Sequence, residues 1–216
     1  MQIIEWQQFL DNGLRQEEKL ASMTIGIFDG VHRGHRALIE RVVSHVSLRS
    51  ADEKKFIADA AETRIVHNDG FLPVIITFRE NHKTKDKKQI TGGGGQSDIQ
   101  TFQQRLSMFE KLGIQITVVI DYTEEFRRMH WIDFLNVLLK HSCVGFFAVG
   151  SDFRCGYKLD TDAEAIKKFF TSRNIPAEIV PQVMEGGLPV SSSRIRCAIA
   201  SGDLSLAESM LGYACK

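Results

Sequence analysis

The stretch Gly26-Ile27-Phe28-Asp29-Gly30-Val31-His32-Arg33-Gly34-His35 lies between an apolar run, Met23-Thr24-Ile25, and a helical pattern of Ala37, Leu38, Ile39, Val42, Val43 and Val46. A glycine-bearing turn from a strand into a helix is where an α/β fold offers backbone N–H groups and a positive helix end to phosphate. Gly30 and Gly34 permit tight turning and close backbone approach. His32 and His35 stand at i and i+3, so a helix beginning near Gly34 places both rings at its entrance. There they face the same anion, and a triphosphate beside them would favour their protonated forms. The stretch outlines a nucleotide site.

Other phosphate and metal motifs do not fit it. No Gly-Lys-Ser/Thr follows, as a Walker A loop requires, and the glycine spacing is not that of a dinucleotide fingerprint. His-x-x-His without cysteine or carboxylate partners supplies only two of the ligands that zinc needs. Outward from the turn, strand-like and helix-like runs alternate. Strands are expected at Thr24–Phe28, Pro73–Phe78, Ile116–Ile120, Gly145–Val149 and Ala177–Pro181. Helices are expected from about Gly34, then at Ser97–Leu112, Trp131–Lys140, Ala163–Ser172, Arg194–Ser201 and Ser205–Leu211. This alternation implies βαβ units, hence an α/β fold with a parallel sheet and helices on both faces. Right-handed crossovers then bring the strand C-termini, and the histidine turn with them, to one edge.

Composition narrows the class. The 216 residues suit one fair-sized domain, 1–216, and 43% are apolar, enough for a full core. The formal net charge of zero argues against a bulk nucleic-acid binder, so no nucleic-acid partner is expected. Cys143, Cys155, Cys197 and Cys215 are far apart and form no Cys-x-x-Cys pair, so they read as buried reduced thiols. Met1 to Leu14 has no signal-peptide pattern, and no apolar run reaches the roughly 18 residues of a membrane span. A cytoplasmic location without membrane contact is the expectation.

Further segments carry chemistry. Pro189-Val190-Ser191-Ser192-Ser193-Arg194-Ile195-Arg196 precedes a helix. Its serines suit helix capping, but two arginines in a first turn oppose the positive helix end unless an anion sits there. Val149-Gly150-Ser151-Asp152-Phe153-Arg154-Cys155-Gly156 follows an expected strand, as a ligand-facing loop would. There Asp152 reads either as a turn residue bonding its own backbone or as a contact to a bound ligand. Leu48 to Gly70 is polar and expected to be partly helical, from Asp52 to Val66, as an extension of the first helix. Glu80 to Gln96 holds Lys83, Lys85, Lys87, Lys88 and the run Gly92–Gly95. That run reads as a surface loop or as a flap over a substrate.

The string Gly26-x-Phe28-Asp29-Gly30-x-His32-x-Gly34-His35 resembles the signature of the bacterial FAD synthetases, within the nucleotidylyltransferase superfamily that carries His-x-Gly-His. Ser191-Ser192-Ser193-Arg194-Ile195-Arg196 is similar to that family's second phosphate motif, and Val149–Gly156 to its Val-Gly-x-Asp-Phe-x-Phe-Gly, with Cys155 in place of an aromatic. Ile27 stands where the family often has Asn. Thr77-Phe78-Arg79-Glu80-Asn81-His82 occupies the place of Thr-Phe-x-Pro-His-Pro and lacks both prolines. The resemblance runs from about Thr24 to the end of the chain and includes no riboflavin kinase module.

It implies a Rossmann-like nucleotidylyltransferase fold and the transfer of AMP from ATP to FMN, giving FAD and pyrophosphate by in-line attack. By the same resemblance His32, His35 and Arg196 are the catalytic residues. ATP is held by Gly26, Phe28, Gly34, His32, His35, Ser192, Ser193 and Arg196, while Asp152 and Phe78 face the flavin. Magnesium (Mg2+) arrives with ATP and needs no all-protein cage. Two alternatives stay open: a nucleotidylyltransferase with another phosphorylated acceptor, and a non-catalytic flavin or nucleotide-binding module.

Overall fold

The computed structural model describes residues 1–14, 19–45, 55–58, 63–66, 70–80 and 98–215. The chain begins with β1 (Gln2–Glu5) and α1 (Trp6–Asn12), neither expected from the sequence. It continues through β2 (Ala21–Ile25), α2 (Arg33–Ser44), the ribbon strands β3 (Lys55–Ala58) and β4 (Thr63–Val66), and β5 (Leu72–Phe78). Next come α3 (Phe102–Lys111), β6 (Ile116–Ile120), α4 (Glu124–Arg127), α5 (Trp131–His141) and β7 (Val144–Gly150). Short strands β8 (Arg154–Cys155) and β9 (Thr161–Asp162) precede α6 (Ala163–Thr171) and β10 (Ala177–Val180). A small ribbon, β11 (Met184–Glu185) and β12 (Leu188–Pro189), leads into α7 (Ser192–Ala200) and α8 (Leu204–Leu211).

The main sheet has six strands in the order β1-β6-β5-β2-β7-β10, and every pairing is parallel. From β2 the chain moves outward through β5 and β6, then returns to the other side of β2 with β7 and β10. The strand order therefore reverses between β2 and β7, and ligands bind beyond the carboxyl ends of the strands at such a switch point. The loop after β2 holds His32, and the loop after β7 holds Asp152. Both flank the switch.

Residues alternate between the two faces of the sheet, as the period of a strand requires. Met23, Ile25, Val74, Ile76, Phe147 and Val149 pack with Phe9, Phe134, Leu138 and Phe170 from α1, α5 and α6. Ile75, Phe146 and Ala148 face the opposite way, against Leu38, Ile39 and Val42 of α2 and Phe109 of α3. A third cluster joins α7 to α8 through Ile195, Ala198, Ala207 and Met210. The expected α/β fold with both faces covered is present.

Four local expectations are corrected. The first strand ends at Ile25, because the chain turns sharply at Phe28 with φ 55. The helix expected over Ser97–Leu112 begins only at Phe102, where Thr101 caps it in a reciprocal box with Gln104. The helix expected within Asp52–Val66 is replaced by the antiparallel pairing of β3 and β4. Phe56, Ile57, Thr63, Ile65 and Val66 favour that extended form. Finally, none of the cysteines is fully buried: Cys197 is exposed and the other three are half-buried. Lys83, Lys85, Lys87, Lys88 and Gly92–Gly95 lie outside the described residues.

Candidate active site

The loop after β2 has unusual backbone geometry. Phe28 and Val31 have φ of 55 and 33, and Gly30 between them has φ 85. Left-handed backbone at bulky residues costs energy and persists only where surrounding contacts hold it. Here they do. Ile99 lies 3.1 Å from where a Gly30 Cβ would stand. The Phe28 ring is buried, edge-on to His35 at 5.2 Å and to Phe109 at 5.6 Å.

Beneath the loop sits Arg105, buried at 2% exposure. Its guanidinium donates to the carbonyls of Ile27 (2.5 Å), Phe78 (3.1 Å) and Arg79 (2.9 Å). It thus ties the loop after β2 to the end of β5. Burial pushes its pKa down from the usual arginine value. No spacing in the sequence marks this residue as part of the site.

α2 starts at Arg33, with His32 as its cap. His32 Nδ1 accepts from the His35 backbone N–H at 3.3 Å, which leaves the ring proton on Nε2 in the neutral form. The two imidazoles stack with centroids 3.6 Å apart and planes 16° apart. Burial lowers the His32 pKa to about 4, opposed by nearby Asp152. Burial also holds His35 well below the ordinary value, aided by His32 and Arg105. His35 Nδ1 is buried and accepts no protein hydrogen bond. Both rings are neutral donors here, so a triphosphate that favoured charge would have to overcome this desolvation.

The second helix entrance faces the same space. Ser191 caps α7, accepting from the Arg194 N–H at 3.3 Å. Arg194 turns back to the carbonyls of Leu188 (2.9 Å) and Pro189 (2.6 Å), which relieves the conflict of a cation in the first helical turn. Arg196 instead points to Asp29, Nη1 to Oδ2 at 2.6 Å, with the two side chains 12% and 4% exposed. Ser192 Oγ donates to the Asp29 carbonyl at 2.9 Å, and Ser193 is exposed.

Gly26, Phe28, Gly34, His32, His35, Ser192, Ser193, Arg196, Asp152 and Phe78 all line one cavity of about 400 Å³. The structure brings together every site residue named from the sequence. It adds an aromatic arm that the sequence reading missed, formed by Tyr122, Phe126, Trp131 and Phe134. Phe78 meets Tyr122 and Phe126 edge-on at 5.8 and 5.7 Å, and Phe126 meets Phe134 at 5.9 Å. The aromatics of Tyr122 to Phe134 stood in the sequence as a cluster. Only the tertiary structure gathers them into the wall of this cavity.

Among the described residues no group of three or more His, Cys, Asp or Glu could hold a metal ion. Asp29, which lines the cavity, is engaged with Arg196 and the Ile99 and Gln100 N–H groups. Among the described residues the donor set does not fit a protein-held cation. No helix among the described residues is long and apolar enough to cross a membrane.

A parallel sheet whose switch point carries two helix entrances and a stacked histidine pair defines a Rossmann-like nucleotidylyltransferase fold. Residues 14–194 match the model of the FAD synthetase family, and the chain belongs to that family. It is similar to the bifunctional riboflavin kinase/FMN adenylyltransferase of Escherichia coli strain K12, at 27% identity over 192 residues, covering 88% of this chain and 54% of that protein. The enzyme of the same description from Listeria monocytogenes is 26% identical over 194 residues, covering 88% and 53%. The chain thus spans about half the length of these curated relatives.

Two solved structures share the fold. One is described as a macrolide-efflux protein from Streptococcus pneumoniae, with TM-score 0.70, 20% identity, and coverage of 100% of this chain and 72% of that one. The other is pantoate-beta-alanine ligase from Francisella tularensis complexed with beta-gamma ATP and beta-alanine, with TM-score 0.52, 13% identity, and coverage of 95% and 77%.

Proposed function

We propose that this chain transfers the AMP moiety of ATP to FMN, releasing pyrophosphate and forming FAD. The observation that carries the reading is the lining of one cavity. The stacked His32–His35 pair and the α7 entrance supply its polar lining, and the aromatic arm supplies apolar walls. A polyphosphate suits the first and a planar isoalloxazine ring the second.

An FMN phosphate oxygen attacks the α-phosphorus of ATP, a new P–O bond forms, and the bond from the α-phosphorus to the bridging oxygen breaks. Pyrophosphate leaves in line with the attack. The attacking phosphate is already ionised near neutral pH, so no general base is needed. Positioning and charge stabilisation do the catalytic work. His32 and His35 donate hydrogen bonds to the α-phosphoryl and bridging oxygens. Ser192, Ser193, Arg196 and the α7 N–H groups hold the departing pyrophosphate. Gly26 and Gly34 let the backbone approach the phosphates, while Phe28 keeps His35 in place. Phe78 walls the flavin side, and Asp152 beside His32 orients the nucleotide or the flavin. Magnesium accompanies ATP as part of the substrate.

The test is chromatographic detection of FAD from FMN, ATP and magnesium with the purified chain, beside a parallel reaction on riboflavin. FAD from FMN alone supports a stand-alone adenylyl transfer. ATP binding without FAD overturns the acceptor assignment.

A further inference from the structure

Three distant segments converge on the Asp29–Gly30 turn. Ile99 N–H donates to Asp29 Oδ1 at 2.9 Å and Gln100 N–H to the same oxygen at 3.4 Å. Arg196 Nη1 donates to Oδ2 at 2.6 Å. Ser192 Oγ donates to the Asp29 carbonyl, and the Tyr213 hydroxyl to that of Gly30. Asp29 is 3% exposed. Burial raises its pKa, while the N–H groups and Arg196 pull the other way.

A buried carboxylate beside two helix N-termini is an odd neighbour for a polyphosphate, since it repels the charge those termini attract. Its geometry resolves the conflict. Both oxygens are engaged by donors, and the Oδ2 contact orients one edge of a guanidinium. That guanidinium lies on the cavity wall. A long arginine side chain loses rotamer freedom when it binds, and a fixed partner removes part of that cost beforehand.

We infer that Asp29 is a positioning residue: it holds Arg196 aimed at the terminal phosphates of ATP and acts on nucleotide binding only through that arginine. The inference rests on the phosphate-binding role proposed for Arg196, and it is independent of the acceptor. Asp29 also links this arginine to the segment entering α3 through Ile99 and Gln100. In Asp29→Asn one oxygen can still serve Ile99, and the amide nitrogen then faces the guanidinium, donor against donor.

Calorimetric titration of ATP with magnesium, and separately of AMP, into the wild type and Asp29→Asn tests this. AMP lacks the phosphates that Arg196 contacts. The expected result is ATP affinity lowered by about tenfold or more, the loss of one charge-assisted hydrogen bond, with AMP affinity unchanged. Asp29→Glu keeps the charge but displaces it by one methylene, and it gives the same selective loss should the asparagine variant not fold. Equal losses for ATP and AMP would mark Asp29 as merely structural and overturn the inference. So would unchanged ATP affinity, or a wild type that binds ATP no better than AMP. Failure of the wild type to make FAD speaks against the acceptor assignment alone, because this comparison needs no acceptor.

Discussion

His32 and His35 lie face to face, 3.6 Å between ring centroids, with the His32 ring capping the helix that carries His35. The stack makes them one unit. Two charged rings at that distance would repel strongly, and burial already disfavours charge on each. In the proposed reaction the pair serves as neutral donors fixed before substrate arrives, the preorganisation that phosphoryl transfer rewards.

Replacing either ring removes a donor and frees the other from its stack. His32→Ala and His35→Ala should each lower kcat about 10²–10³-fold, with a smaller change in KM for ATP. The double variant should fall little below the worse single variant, because the rings act together. Steady-state rates of FAD formation read this directly. Near-normal rates in either single variant would remove the histidines from the mechanism.

The lowered His32 pKa makes stability depend on pH. The unfolded ring binds a proton near 6.5, the folded ring only near 4. Between those values the unfolded state holds more protons, so stability is fully present above about pH 6.5 and declines as pH falls toward 4. The loss attributable to this group is on the order of 3 kcal/mol across the window. Denaturant unfolding from pH 7.5 to 4.5 should show the decline, and His32→Gln should reduce it, leaving the part that His35, also depressed, contributes.

Gly34 stands under the His32 ring, where a Cβ would come within 3.3 Å of its Cε1 and Nδ1. Gly34→Ala should therefore tilt His32 off its partner. Alanine is the better helix former by about 1 kcal/mol, so stability should hold or rise slightly. Activity should drop at least about tenfold, the equivalent of roughly 1.4 kcal/mol in the transition state. A fall in melting temperature matching the fall in rate would contradict this account.

Arg105→Met keeps the length of the side chain and removes its donors. The carbonyls of Ile27, Phe78 and Arg79 then lose a buried partner together. The expected cost is about 3 kcal/mol or more, since each unsatisfied buried group costs roughly 1–3 kcal/mol. In a domain of this size that lowers the melting temperature by roughly 10 °C.

Tyr122 sits on the aromatic arm with the Arg127 guanidinium 5.7 Å from its ring centre. Tyr122→Ala should raise KM for FMN about tenfold through lost ring contact and leave KM for ATP unchanged. Equal effects on both substrates would place the flavin elsewhere in the cavity.

Much of the fold was legible in the sequence because it rests on local pattern. The apolar runs at Ile116–Ile120 and Gly145–Val149 could be little else than buried strands, and α6 matches its expected span to within one residue. The errors fall where distant contacts override local preference. α3 begins late because the chain before it is drawn to Asp29, about 70 residues earlier. β1 was missed because its four residues gain a partner only in β6, across more than a hundred residues. In the site, the histidine turn and the serine-arginine segment were readable as short motifs tied to helix starts. Arg105 and the aromatic arm were not, since neither has a distinctive spacing.

The sequence by itself determined the chemistry that each segment could offer: phosphate at two helix entrances, donors at His32 and His35, and alternating strands and helices to carry them. These depend on residue type and near neighbours, which the chain states directly. Only the tertiary structure decided that the two entrances share one cavity and that Arg196 meets Asp29 from 167 residues away. It also decided that both imidazoles are neutral. Those outcomes arise from burial and from contacts across the sheet, and burial exists only once the whole chain has folded around its core.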